Sequence, residues 1–484
     1  MLVQIAPSDA RPRNPENPIQ NKPVVPRATA APGPALDHKR LKAGPFLVAH
    51  QTAYQNGLRK SHVESESEAV GNPLCQHVLI RQKPEDEFER PEFPEGFPDQ
   101  IDVPAARYFD PAFFELEKAH IFAKTWQFAA HAEQLATPGD YFLLEAFPEP
   151  LFLIRGDDGV IRCFYNTCQH RGAKLIAETT GNKRLLVCPF HAWTYDRAGE
   201  LRGFPEAKNY PRNAEKECLS LRPVRCETFG ALIFINLDAG APSLRETLGS
   251  VGDEISGLIG DDSRGVHFAA SEIKWVDANW KLAGDANVET YHVPFLHKTT
   301  AAPGLDQMRT GQWLLPNGHS RMLIKFRPHA REAIGAVAQT FPPFPGLKDN
   351  PLPYEGVYSF HLFPNISVVM AGSQMFLIIC AIPHGPKRHA YVVHYLASQP
   401  LGAGHDVTID GLVRFNSKVL GEDLEMMPSM QASMESGALK QLKLQYQERR
   451  IRRYHVDIDL MIGAEQIAPD LRVPPLLADY VEAG

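Results

Sequence analysis

No stretch of this 484-residue sequence stays apolar over the roughly 20 residues that a membrane-spanning helix needs. Its opening, "MLVQIAPSDARPRNP", has no apolar segment of signal-peptide length either, so the sequence predicts a cytoplasmic protein. A basic excess is also lacking. Lys and Arg number 50 against 57 Asp and Glu, a formal charge of −7; a nucleic-acid binder needs a positive face to neutralise phosphate. Cysteines are few, odd in number and scattered: seven, at 75, 163, 168, 188, 218, 226 and 380. That excludes a disulfide framework and leaves buried thiols, metal ligands or nucleophiles. A G-x-G-x-x-G fingerprint and a flavin-binding signature are both missing.

Composition divides what is present. Residues 1–98 hold 14 of the 41 prolines, and "RATAAPGPALDHKR" and "KPEDEFERPEFPEGFPD" carry no apolar period. Such a segment cannot bury enough surface to offset its ordering entropy, so a disordered tail is expected. Then "YFDPAFFELEKAHIFAKTW" reads as a helix with Asp110 as N-cap and Pro111 in its first position. It leads a β-rich domain over 99–242. There "LFLIRG" and "VIRCFYN" flank a "DDG" turn, "AWTYDRAGELRGFP" forms another hairpin, and "ALIFINL" is a buried strand. Ser243 and Glu246 form a capping-box pattern, with Leu244, Leu248, Val251, Ile255 and Leu258 along one helical face. A second domain, 243–484, starts at that switch. Its strands ("ISVVMAG", "MFLIICAIP", "AYVVHYLAS") and the long polar helices after Asp406 make the chain α+β.

Two constellations carry chemistry. In "CQHRGAKLIAETTGNKRLLVCPFH", Cys168 and His170 are followed after 17 residues by Cys188 and His191. Zinc fingers pair Cys with Cys and His with His along the chain, so this alternating order fits them poorly. It fits a Rieske [2Fe–2S] centre, in which one iron takes two Cys and the other two His. The plain alternative, thiols as core filler and histidines at the surface, would suffice for a lone C-x-H. Cys75 and His77 repeat the "CQH" tripeptide without any C-x-x-H in reach, and there the plain alternative holds.

The second constellation is "NWKLAGDANVETYHVPFLHKTT". With Asn279 to Tyr291 helical, Glu289 and His292 share a face. Pro294 disfavours helix at Val293, so His297 is expected from the segment after the break. Two His plus one carboxylate describe a non-haem Fe(II) site with positions open to O₂. The carboxylate must come from elsewhere, and "KVLGEDLEMMPSMQ" offers Glu422 and Asp423.

Together these residues resemble the α subunit of the Rieske non-haem iron oxygenases, the aromatic-ring-hydroxylating dioxygenase family. C-x-H-R-G…C-P-F-H-x-W-x-Y-D and N-W-K…E-x-Y-H-x-P-x-x-H carry the resemblance, which runs from about residue 108 through the Asp423 region. It implies an all-β Rieske domain followed by a catalytic domain of antiparallel sheet and helices, of helix-grip type. It also implies one [2Fe–2S] cluster on Cys168, His170, Cys188 and His191, and one Fe(II) on His292, His297 and Asp423. Glu289 would take the catalytic bridging position, tying His292 to His191 of the next subunit in a homotrimer. An NAD(P)H-dependent reductase, with or without a ferredoxin, would supply electrons, and a β subunit is possible in this family. Glutamate at the bridge is similar to the choline, glycine-betaine and carnitine oxygenases. Departures are Ala192 where Gly is usual, Ala286 where Asn is usual, and Pro428 between Asp423 and Gln431.

The expected function is therefore a terminal oxygenase that hydroxylates an aromatic or other hydrophobic small molecule. Phe295, Trp313, Phe360, Phe363 and Phe376 are candidates to line its pocket, with core packing as their alternative role. A quaternary amine oxidised at an N-methyl or adjacent carbon is the second reading. An electron-carrying Rieske protein and a zinc-stabilised binding module are the rivals of another class.

Overall fold

A computed structural model describes residues 96–99, 102–210, 219–260, 265–349 and 356–482. Nearly all of the expected tail, with Cys75 and His77, lies outside these, as does Cys218. Two seven-stranded antiparallel sheets dominate.

The first sheet runs, edge to edge, Gln127–His131, Leu232–Asn236, Pro223–Phe229, Ile161–Tyr165, Leu151–Arg155, Asp140–Leu143 and Thr180–Asn182. The expected hairpin at "DDG" is there: Leu151–Arg155 pairs with Ile161–Tyr165. Gly159 supplies the left-handed conformation (φ +80°) that turns the chain. A small three-stranded sheet, Leu186–Val187, Thr194–Tyr195 and Leu201–Gly203, stands beside it and contains the second expected hairpin.

The second sheet runs His267–Val276, His389–Ala397, Met375–Pro383, Ile366–Ala371, Gly356–Leu362, Ser320–Phe326 and Leu305–Leu314. Its central strands have no solvent side, which is why "MFLIICAIP" is an unbroken apolar run rather than an alternating one. Met375, Leu377, Ile379 and Ala381 face one core with Leu420, Leu424, Met427 and Met434 of the helix Asp406–Glu435. Phe376, Ile378, Cys380 and Ile382 face another core, shared with the helix Leu244–Ile259, with Trp126, and with Phe128 and Phe234 of the first sheet.

The helix Leu244–Ile259 starts on the Ser243–Glu246 capping box, and Leu244, Leu248, Val251, Ile255 and Leu258 are all buried. Pro428 does not end the helix Asp406–Glu435. Its buried face carries it past the proline, helped by Gln431, whose amide bonds the Asn279 N–H and the Tyr108 carbonyl. Tertiary packing overrides the local penalty.

The leading helix, Pro111–Glu117, has Asp110 as N-cap and Pro111 in its first turn as the sequence predicts. Its last residue, Glu117, is fully buried and accepts from Lys281 Nζ at 2.6 Å and Trp280 Nε1 at 3.1 Å. Those two bonds fasten the leading segment to the helix Trp280–Asn287, on which the second candidate site hangs.

Candidate metal centres

Two loops at one end of the β-rich part bring the first four residues together. Both are built alike. In the first, the Cys168 N–H bonds the Ala173 carbonyl at 2.9 Å and the Gly172 N–H returns to the Cys168 carbonyl at 2.9 Å. In the second, the Cys188 N–H bonds the Trp193 carbonyl at 2.8 Å and the Ala192 N–H returns to the Cys188 carbonyl at 3.0 Å. The residue four after each cysteine is left-handed: Gly172 at φ +76° and Ala192 at φ +55°. A glycine takes that conformation freely and an alanine does not. Ala192→Gly is therefore expected to raise stability by about 1 kcal/mol, read as a higher thermal midpoint with an unchanged visible spectrum. A lower midpoint would sink that account.

The thiols of Cys168 and Cys188 are buried side by side, and burial first, then the neighbouring Cys188, pushes the Cys168 thiol up in pKa while Tyr195 opposes. The Tyr195 hydroxyl is 3.4 Å from Cys168 Sγ. His170 and His191 have ring centroids 4.6 Å apart. Nδ1 of each is buried with no hydrogen-bond partner among the described residues. His170 Nε2 points the other way, 3.3 Å from the Tyr210 hydroxyl, and Trp193 stacks on the His170 ring at 5.0 Å. Two thiols beside two inward, unpartnered imidazole nitrogens make a donor set that fits a [2Fe–2S] cluster.

The second group lies between the segment after Asn287 and the helix Asp406–Glu435. The helix capped by Asn279 stops at Asn287, short of the expected Tyr291. Its end is held from afar: Ser359 Oγ donates to the Asn287 carbonyl at 3.4 Å and Arg450 Nη1 to the Val288 carbonyl at 3.1 Å. Glu289 and His292 meet nonetheless, because the chain folds back so that a Glu289 oxygen reaches His292 Nδ1 and the other bonds the Tyr291 N–H. Pro294 also behaves differently from expectation. Val293–Leu296 is a short helix with the proline in its first turn, where no N–H is needed, and His292 and His297 flank it.

His292, His297 and Asp423 each offer a ligand atom, all within 4.8 Å of one another. Asp423 Oδ1 is 3.6 Å from His292 Nε2 and 3.3 Å from His297 Nε2. Glu422 sits elsewhere: its Oε2 takes Nδ1 of His297, the far side of that ring, at 2.7 Å. Of the two acids left open by the sequence, Asp423 is the one facing both Nε2 atoms. Burial pulls both imidazoles down in pKa, but the surrounding carboxylates outweigh it and hold them above their ordinary value. A metal entering there displaces protons, so loading weakens as pH falls. Two imidazoles and one carboxylate on one face fit non-haem Fe(II).

The five aromatics named as pocket candidates do not gather at one place. Phe360 and Phe376 lie in the core on the opposite sheet face, which Trp313 packs against. Phe363 packs into the core of the metal-side face, and Phe295 is 63% exposed. Thr300 has no role in the sequence analysis, and Tyr195 stands there only as a letter of the C-P-F-H-x-W-x-Y-D motif. The spacing of Thr300, three after His297, was the available signal.

The fold and these two donor sets define a protein with a Rieske-type cluster domain followed by a mononuclear iron domain. Residues 125–222 match the Rieske [2Fe-2S] domain family, and residues 261–464 match the ring hydroxylating alpha subunit (catalytic domain) family. The chain carries a Rieske [2Fe-2S] domain and a ring-hydroxylating alpha-subunit catalytic domain, and the two matches imply a [2Fe–2S] cluster and a mononuclear iron. It is 36% identical over 218 residues to the 2-aminobenzenesulfonate 2,3-dioxygenase subunit alpha of Alcaligenes sp, covering 44% of this chain and 55% of that one. It is 35% identical over 190 residues to the carnitine monooxygenase oxygenase subunit of Escherichia coli (strain K12), covering 39% and 50%. The chain thus spans about half the length of these curated relatives. A crystal structure of a quaternary ammonium Rieske monooxygenase with L-carnitine has the same fold, with a TM-score of 0.62, 24% identity, and coverage of 77% of this chain and 99% of that one. Among the described residues no helix is long and apolar enough to cross a membrane.

Proposed function

We propose that this chain is the cytoplasmic terminal oxygenase component of a multi-protein system, hydroxylating an aromatic or other hydrophobic small molecule with O₂. The observation that carries the reading is the pairing of a two-Cys, two-His set with a two-His, one-carboxylate set on one chain. In this reading Cys168, His170, Cys188 and His191 hold the cluster, and His292, His297 and Asp423 hold the iron. When bound, the cluster supplies single electrons and the iron supplies O₂ activation.

The protein's own groups do the positioning. Glu289 is nearly buried and grips His292 Nδ1, leaving Nε2 turned towards Asp423. In a homotrimer its carboxylate would reach the partner subunit's His191, coupling the two centres through one acid and two imidazoles. Without a dinucleotide fingerprint, the chain depends on an NAD(P)H-dependent reductase, directly or through a ferredoxin. A β subunit is compatible with this arrangement.

A second reading has one observation in its favour: glutamate stands at the bridging position, and carnitine monooxygenase subunits are among the relatives. The substrate would then be a quaternary amine, oxidised at an N-methyl or adjacent carbon. O₂ uptake coupled to product, with a surrogate reductase and separate panels of aromatics and betaines, discriminates the two.

Metal analysis tests the class itself. The oxygenase predicts about three irons per chain, two of them with acid-labile sulfide. Two irons in a fully loaded sample would mark an electron carrier, and zinc without sulfide a structural binding module.

A further inference from the structure

Each iron-type imidazole is backed by a carboxylate on its Nδ1, but the two carboxylates come from different places. Glu289 belongs to the same loop as its histidine and spends one oxygen on the Tyr291 N–H. Glu422 comes from the helix Asp406–Glu435 and reaches across to His297 at 2.7 Å. The Thr300 hydroxyl donates to the same Glu422 oxygen at 2.7 Å, and the Thr300 N–H bonds the His297 carbonyl at 3.1 Å. Thr300 and His297 are buried.

We infer that Glu422 is a positioning residue for the iron site, fixing the ring and tautomer of His297 and setting its distance from Asp423. The inference rests on reading His292, His297 and Asp423 as the iron ligands. Successive residues on a helix point about 100° apart, so one turn can send Asp423 to the Nε2 side of the histidines and Glu422 behind His297. With Nδ1 donating to Glu422, the lone pair of Nε2 is left facing Asp423 Oδ1 at 3.3 Å. A carboxylate behind a ligating imidazole also makes it a stronger donor. Because Glu422 and His297 lie on separate elements, their bond clamps the ligand loop to the ligand helix. Glu289, inside the loop, cannot do that.

The test compares Glu422→Ala, Glu422→Gln, Thr300→Val and Asp423→Ala in full-length, cluster-loaded protein. Retention of mononuclear iron against a chelator is measured, with the EPR spectrum of the nitric oxide adduct under excess Fe(II). The cluster's visible spectrum serves as the control for folding. Glu422→Ala is expected to weaken iron retention about 10- to 100-fold and to change the rhombicity of the adduct. Glu422→Gln, whose amide oxygen can still accept from Nδ1, should stay within about fivefold of the parent. Thr300→Val should fall between them. Parent-like retention and adduct spectrum in Glu422→Ala would overturn the inference, as would Glu422→Gln losing as much as Glu422→Ala. If Asp423→Ala keeps its iron, the ligand assignment fails instead.

Discussion

Glu289→Gln is expected to lose substrate-coupled O₂ uptake by about 100-fold or more while its cluster absorbs and reduces as in the parent. Glutamine is nearly isosteric and can still accept from His292 Nδ1 through its amide oxygen. Its other atom is a donor, though, and it replaces an oxygen that receives the Tyr291 N–H. Two donors then face each other, so the loop between Val288 and His292 must re-form. The amide also lacks the charge that would hold a proton-bearing imidazole of a neighbouring subunit. Single-turnover measurements locate the defect. A pre-reduced protein whose cluster stays reduced when substrate and O₂ are added, yet which forms product from hydrogen peroxide, places the loss in electron transfer between cluster and iron. Retained multiple turnover would remove Glu289 from the bridge.

Asp423→Ala is expected to strip the mononuclear iron while sparing the cluster. Loss of an outer partner of a ligand costs about 10- to 100-fold in metal affinity, so loss of a direct donor should exceed about 100-fold. The site is poorly able to compensate. Glu422 is the nearest alternative acid, but it is bound to His297 Nδ1 and Thr300 on the wrong side of the ring. Iron falling from about three to about two per chain, with sulfide unchanged, is the expected analysis. Iron that stays at three would mean that the carboxylate arm comes from another residue.

Which parts were legible in the sequence follows from distance along the chain. The cluster loops could be read because all four residues fall between Cys168 and His191, and each loop closes on itself through the bonds at its cysteine. The Ser243–Glu246 cap and the Asp110–Pro111 start are likewise local, and both appear as expected. The end of the helix Trp280–Asn287 could not be read, since the groups that take its last carbonyls, Ser359 and Arg450, lie 72 and 162 residues away. Nor could the choice between Glu422 and Asp423. That depends on the rotation of a helix about its own axis, which is set by the packing of Leu420, Leu424, Met427 and Met434 on the sheet. The aromatics failed for a related reason. Period 2 places Phe360 and Phe376 on one sheet face, but which face looks at the iron is a tertiary fact.

The strand Met375–Pro383 has one consequence for engineering. Its odd-numbered side chains belong to the iron side and its even-numbered ones to the side shared with Trp126, Phe128 and Phe234. A graft that exchanged the cluster-bearing half for that of a relative would therefore have to carry Phe376, Ile378, Cys380 and Ile382 with it. The seam of such a chimera runs through the thickness of one strand, not along any loop.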